Sequence, residues 1–115
     1  MDAIALLQRT YAAFNARDLE TALAAMHPDV TWPNGMEGGS VHGHGGIREY
    51  WTRQWAAIDP SVTPVGYRHE PDGRVAVEVR QQVRDRAGKP LFDGMVRHVY
   101  RFRDGLVIAM DIEKA

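Results

Sequence analysis

Beyond Pro60 the chain alternates apolar and polar side chains with a period of two, which commits nearly half its length to extended strands. Val65, Tyr67 and His69 share a face, as do Val75, Val77, Val79, Gln81 and Val83, and then Val96, His98, Tyr100 and Phe102. The opposite faces carry Glu78, Arg80, Gln82 and Arg84, followed by Arg97, Arg101 and Arg103. Pro71-Asp72-Gly73, Ala87-Gly88-Lys89 and Asp104-Gly105 separate the runs as turns, so four antiparallel strands are expected.

Ahead of Pro60 the rhythm is helical. Residues 2–16 place Ile4, Leu7, Tyr11 and Phe14 on one stripe, with Asp2 set to cap the start. Asp18 opens a second short helix, DLETALAAM, whose stripe is Leu19, Ala22, Leu23 and Met26, and Pro28 is expected to end it. Val30, Thr31 and Trp32 make a brief extended stretch. Six glycines between Pro33 and Gly46 mark a loop with unusual backbone angles. A third helix, IREYWTRQWAAI, spaces Ile47, Tyr50 or Trp51, Trp55 and Ile58 as a buried face, and Pro60 closes it. Three helices followed by a sheet give an α+β fold. The helices close over a twisted antiparallel sheet and leave a mostly apolar pocket between the layers.

A chain of 115 residues holds one core, so residues 1–115 read as a single domain. The net charge is −1, from 14 basic and 15 acidic residues, and supplies no basic field for nucleic acid. Cysteine is absent, which excludes disulfides, thiol catalysis and thiolate metal sites. No apolar run approaches the roughly 20 residues that cross a bilayer. MDAIALLQRTYAAF lacks the basic-then-apolar order of a signal peptide, so a cytoplasmic location without membrane attachment is expected.

The last hairpin decides which polar groups meet the pocket. A two-residue turn at Asp104-Gly105 would set Arg103 opposite Leu106 and His98 opposite Asp111, forming a histidine–carboxylate pair. A three-residue loop, Arg103-Asp104-Gly105, would set Phe102 opposite Leu106 and His98 opposite Met110. One residue of slip exchanges the faces of the whole strand. At about 1.5–3 kcal/mol per buried aliphatic side chain, burial favours the loop. Leu106, Ile108, Met110 and Ile112 then turn inward, and Asp111 lies outside opposite Arg97.

His98 is then the polar group left inside, able to shuttle a proton or donate to an oxyanion, and it is the candidate catalytic residue. Gln81 shares an inward face and could orient a ligand or hydrogen-bond His98. Asn34, beside the glycine-rich loop, and Tyr100 are further orienting candidates. Tyr11, Phe14, Trp32, Trp51 and Trp55 supply aromatic walls, with Met110 and Ile112 completing an inner surface for a small apolar molecule. His27, His42 and His44 cluster in sequence, but only Glu37 is near them and no metal site is expected. No cofactor motif appears. Gly43-His44-Gly45-Gly46 ahead of a helix reads as cap and turn.

The segments DLETALAAMHPDVTW, VHGHGGIREYW and HVYRFRDGLV resemble the nuclear transport factor 2-like superfamily, in its SnoaL-like branch of polyketide cyclases and relatives of ketosteroid isomerase. The resemblance spans roughly residues 4 to 112. It implies a cone-shaped fold, three N-terminal helices on a curved sheet, and often a homodimer. The steroid isomerases' oxyanion-binding acid matches His98, and their oxyanion tyrosine falls near Thr10, beside Tyr11. Their base carboxylate matches Asn34. The cyclases also carry a histidine at His98, and their acid/base aspartate falls at Ile112. Each inherited mechanism therefore lacks one carboxylate.

Overall fold

The computed structural model describes residues 2–114. In chain order the elements are α1 (Ala3–Asn15), α2 (Leu19–Ala24), β1 (Met26–Pro33), β2 (Ser40–His42), α3 (Gly43–Ala57), β3 (Ile58–His69), β4 (Val75–Asp85), β5 (Pro90–Arg103) and β6 (Leu106–Lys114). Among the described residues the strands make one curved, unclosed sheet of six, ordered β2-β1-β6-β5-β4-β3. All neighbours are antiparallel except β1 and β6, which run parallel. The α+β architecture matches the expectation, with two more strands.

Val30, Thr31 and Trp32, expected as a brief extended stretch, lie in β1; the start of β1 and all of β2 come from sequence that reads otherwise. Helix α2 starts where expected, with the Asp18 side chain accepting from the Thr21 amide, but it ends at Ala24. Met26, Pro28 and Val30 belong to β1 instead, with a register shift between Met26 and Thr31 that absorbs the proline. In the glycine-rich stretch Ser40–His42 pair with β1, and Gly43, Gly45 and Gly46 form the first turn of α3. Helix α3 stops at Ala57, short of Pro60. Pro60 and Pro64 lie in β3, which tolerates them because it is an edge strand whose outer side needs no ladder donor. Val65 is the unpaired residue of a bulge between Pro64 and Gly66 and stands 60% exposed, off the face of Tyr67.

The final hairpin satisfies two demands that compete in the sequence. Asp104 (φ 54°) and Gly105 (φ 76°) form the two-residue turn, with Arg103 opposite Leu106, contrary to the three-residue loop favoured by burial. The register then shifts: Phe102 faces Val107 while Arg101 faces Ala109, so Ile108 is an extra residue. Beyond this bulge His98 faces Ile112, Tyr100 faces Met110 and Val99 faces Asp111. Met110 and Ile112 thus share the face of His98, as the burial argument required. Nearer the turn the assignment reverses, and Val107 is fully buried while Leu106 and Ile108 are half-buried. Arg97 pairs with Glu78 (2.7 Å) and Glu113 (3.7 Å), not with Asp111.

The core lies between the helices and the concave face, around Leu7, Met26, Val30, Ile47, Trp51, Val75, Val77, Val79, Tyr100 and Val107. Asn15, at the end of α1, fastens the helical layer to the sheet edge. Its Nδ2 donates to the Val62 carbonyl (2.7 Å) and its Oδ1 accepts from the Val62 amide (3.0 Å), taking up backbone groups that β3 would otherwise leave open. Replacing Asn15 with Ala should cost about 2 kcal/mol in urea denaturation, and Asn15→Asp, which keeps only the acceptor, should cost less. Equal losses would show that the retained acceptor contributes nothing.

Candidate functional site

Because β5 alternates, His98 and Tyr100 both face the helices, and the α1 stripe brings Tyr11 over them. Tyr11 Oη lies 2.7 Å from His98 Nδ1, and the Tyr100 hydroxyl donates to Tyr11 Oη at 2.8 Å. The Tyr11 and His98 rings are nearly parallel, at 9°, and Tyr100 meets Tyr11 edge-on. All three are buried, His98 at 6% exposure. Tyr67, paired with Val77 in the same row, brings a third hydroxyl close by; its Oη is buried with no hydrogen-bond partner among the described residues.

A cavity of about 310 Å³ opens beside this chain, within the size range of small-molecule sites. Tyr11, Phe14, Trp32, Trp51, Gln81, His98, Tyr100, Met110 and Ile112 line it, all of them candidates from sequence. Two candidates do not. Asn34 spends its side chain on its own turn: Oδ1 accepts from the amides of Met36 and Glu37, and Nδ2 donates to Glu37. Trp55 packs on Trp51 and Phe14, under the Arg17 guanidinium, and stays off the cavity. Gln81 does not touch His98, whose Nδ1 is taken by Tyr11.

Sequence reading missed Tyr50, Gln54, Met36 and Phe92 as lining residues. Phe92 was findable, since Phe92, Gly94, Val96, His98 and Tyr100 fall on one face by alternation. Tyr50 and Trp51 both line the cavity, because α3 is tightly covered on adjoining faces; Tyr50 Oη also accepts from the Gly35 amide and so holds the loop over the opening. Thr10, where the resemblance set the oxyanion tyrosine, lines the cavity with its hydroxyl donating back to the Leu6 carbonyl, and the hydroxyl that meets His98 belongs to Tyr11 beside it.

No Asp, Glu, Lys or Arg is among the lining residues. Burial alone pushes the His98 imidazole down from 6.5 to about 4, so it is neutral near pH 7. Burial, reinforced by the neighbouring tyrosine, drives the Tyr11 hydroxyl far above its ordinary value, and burial does the same to Tyr100. The chain is thus three neutral groups with two possible proton placements. In one, Tyr11 donates to Nδ1 and the proton on Nε2 is free to donate; in the other, Nδ1–H donates to Tyr11 and the Tyr11 hydroxyl is free.

Two other histidines serve the backbone: His44 Nε2 meets the Met26 carbonyl at 2.8 Å, and His27 Nδ1 accepts from the Asp29 amide, while His42 Nδ1 lies 3.4 Å from the Thr31 hydroxyl. Among the described residues no three His, Asp or Glu side chains converge on one point, and no helix is long and apolar enough to cross a membrane.

A family model of the SnoaL-like domain matches residues 7–110. The chain belongs to the SnoaL-like family. Among solved structures, this SnoaL-like chain is similar to TerC, co-crystallized with polyporic acid, at 30% identity over 98% of this chain and 91% of that one (TM-score 0.84). A nuclear transport factor 2-like protein of unknown function from Burkholderia pseudomallei is 27% identical over 100% of this chain and 92% of its own, with a TM-score of 0.85. A Mycobacterium tuberculosis protein in complex with estradiol-17beta-hemisuccinate shares the fold at 21% identity, covering 94% and 89% (TM-score 0.80). No curated protein matches the sequence.

The buried imidazole ties stability to pH. The unfolded chain takes up the His98 proton near pH 6.5, the fold only near pH 4, so between those values the unfolded state binds more protons and stability rises with pH. The contribution is complete above pH 6.5 and lost below pH 4, and amounts to about 3 kcal/mol. Denaturant unfolding at pH 7, 5.5 and 4 should show this loss in the native chain and not in His98→Gln, after shared carboxylate effects are subtracted. Parallel pH curves for the two would contradict a buried neutral imidazole.

Proposed function

We propose that this SnoaL-like chain is a small-molecule enzyme that moves a proton on an apolar, carbonyl-bearing compound, in the manner of an isomerase or cyclase. The observation that carries the reading is the Tyr11–His98 hydrogen bond at the side of a cavity whose lining is uncharged. With no carboxylate to serve as base, the two neutral residues work as a relay. His98 Nε2 takes a proton from the carbon next to the carbonyl; Nδ1 passes its proton to Tyr11; Tyr11 passes its own to the carbonyl oxygen. The substrate is then an enol. Reversal of the same chain, with Nε2–H protonating a different carbon, yields the isomer and restores the starting tautomer.

No charged residue forms along this path, which suits groups whose ionised forms burial disfavours. Tyr100 donates to Tyr11 Oη and so holds it in place as the proton passes through it. The proposal includes one domain over residues 1–115 and a cytoplasmic location, both expected from the sequence, and a homodimer, which the family resemblance implies.

A panel of apolar β,γ-unsaturated ketones, followed by growth of the conjugated enone absorbance, tests the reading. His98→Ala should slow turnover by roughly 10²-fold with affinity largely kept. The rate should be flat from pH 6 to 9 and fall only as pH drops towards 4, where the imidazole protonates and loses its accepting nitrogen. A rate that halves around neutral pH would point to a different base. The second reading, a non-catalytic binding module, is favoured by the missing carboxylates; it predicts no turnover in the native chain, with His98→Ala changing affinity alone.

A further inference from the structure

One buried hydroxyl stands outside the proposed relay. Tyr67 lies on β3 opposite Val77, which in turn lies opposite His98, so the three share one row across the sheet. The Tyr67 ring is half-buried against the core and is not among the residues that line the cavity. Its Oη is buried nonetheless, and no described residue comes within hydrogen-bond reach of it. A hydroxyl closed off from solvent and left unpaired is costly, and folded proteins meet that cost with a bound water where a second polar group is near.

Two such groups are near, the hydroxyls of Tyr11 and Tyr100. Burial comes first in raising both above their ordinary values, and the nearness of Tyr67 adds to each. Their free valences differ. Tyr11 Oη already meets His98 Nδ1 and accepts from Tyr100. Tyr100 Oη gives its proton to Tyr11, and no described residue donates to it. A phenol oxygen accepts as well as donates. Tyr67 therefore has a proton to give and Tyr100 a lone pair to receive one, across a gap too wide for a direct bond.

We infer that Tyr67 is a positioning residue, which holds one buried water that accepts from its hydroxyl and donates to Tyr100 Oη. The direction of the chain is then fixed from its far end. With no described acceptor in reach, Tyr67 gives its proton to the water. A water that only accepted would leave both its own protons unpaired, so it turns one to Tyr100. If Tyr11 also donated to Tyr100, the Tyr100 proton would point at nothing. Tyr100 is thereby held as the donor, and the Tyr11 proton is kept for His98 or for the ligand oxygen. The inference rests on the proposed function for the use made of that proton; the water and the direction of the chain stand without it.

Crystal structures of the native chain and of Tyr67→Phe, with proton–nitrogen spectra of His98 in both, test this. The native chain should show a water within hydrogen-bond distance of both the Tyr67 and Tyr100 hydroxyl oxygens, and Tyr67→Phe should lose it. The Nδ1 resonance should move in Tyr67→Phe towards its position in Tyr11→Phe, although Tyr67 makes no hydrogen bond to the imidazole. A merely structural role would leave it in place. On a β,γ-unsaturated ketone that the native chain turns over, Tyr67→Phe should lower kcat about fivefold with KM unchanged. Native density without that water overturns the inference, even if the variant does not fold. A water in place with an unmoved Nδ1 resonance, or with an unchanged kcat, overturns the positioning role. Absence of turnover in the native chain sinks the proposed function alone, because density and spectra are read without substrate.

Discussion

Tyr11 and His98 share one hydrogen bond, at 2.7 Å, and through it the helical layer meets the sheet at the inner end of the cavity. Neither group could be buried alone at small cost, since an unpaired hydroxyl or imidazole in an apolar setting forfeits its hydration. Together, and with Tyr100 donating to Tyr11, each satisfies the other and remains neutral. The aromatic walls follow from the same geometry. Trp51 packs edge-on against Phe14 and Trp32 around the space that the tyrosine spans. A polar chain set in so apolar a surround is a place to meet one oxygen of an otherwise oily molecule.

That geometry depends on an irregularity in the sheet. A regular hairpin closed by Asp104-Gly105 would set His98 opposite Asp111 and turn a carboxylate into the cavity. The extra residue at Ile108 shifts the register, so that Met110 and Ile112 face inward and Asp111 lies opposite Val99. The difference between a histidine–carboxylate site and a neutral tyrosine–histidine site is therefore one bulged residue. It also settles the electrostatics, because no neighbouring charge opposes the effect of burial on the imidazole.

Periodicity made much of this legible. The alternation in β4 and β5 set His98, Tyr100 and Gln81 on the inner face, and the stripe of α1 named Tyr11 and Phe14. What periodicity cannot carry is the local choice between a turn and a bulge, because Asp-Gly chemistry and aliphatic burial argued for opposite registers and the chain satisfied both. Asn34 was misplaced because a side chain next to glycines can turn back on its own backbone as readily as face a cavity. Trp55 was misplaced because, one turn beyond Trp51 on the same helix face, it packs against Phe14 under the Arg17 guanidinium and not at the opening. The prolines of β1 and β3 concealed strand ends, since proline argues against a strand until the strand proves to be an edge or to carry a bulge.

The central claim is that His98 is neutral, buried and bonded through Nδ1 to Tyr11. Long-range proton–nitrogen correlation spectra of the imidazole, recorded in the native chain and in Tyr11→Phe, test it most directly. Two unlike ring nitrogens at pH 7, still unlike at pH 5, with the Nδ1 resonance displaced in Tyr11→Phe, are the result the account predicts. Two equivalent, protonated nitrogens near neutral pH, or an Nδ1 resonance indifferent to loss of the Tyr11 hydroxyl, would contradict it.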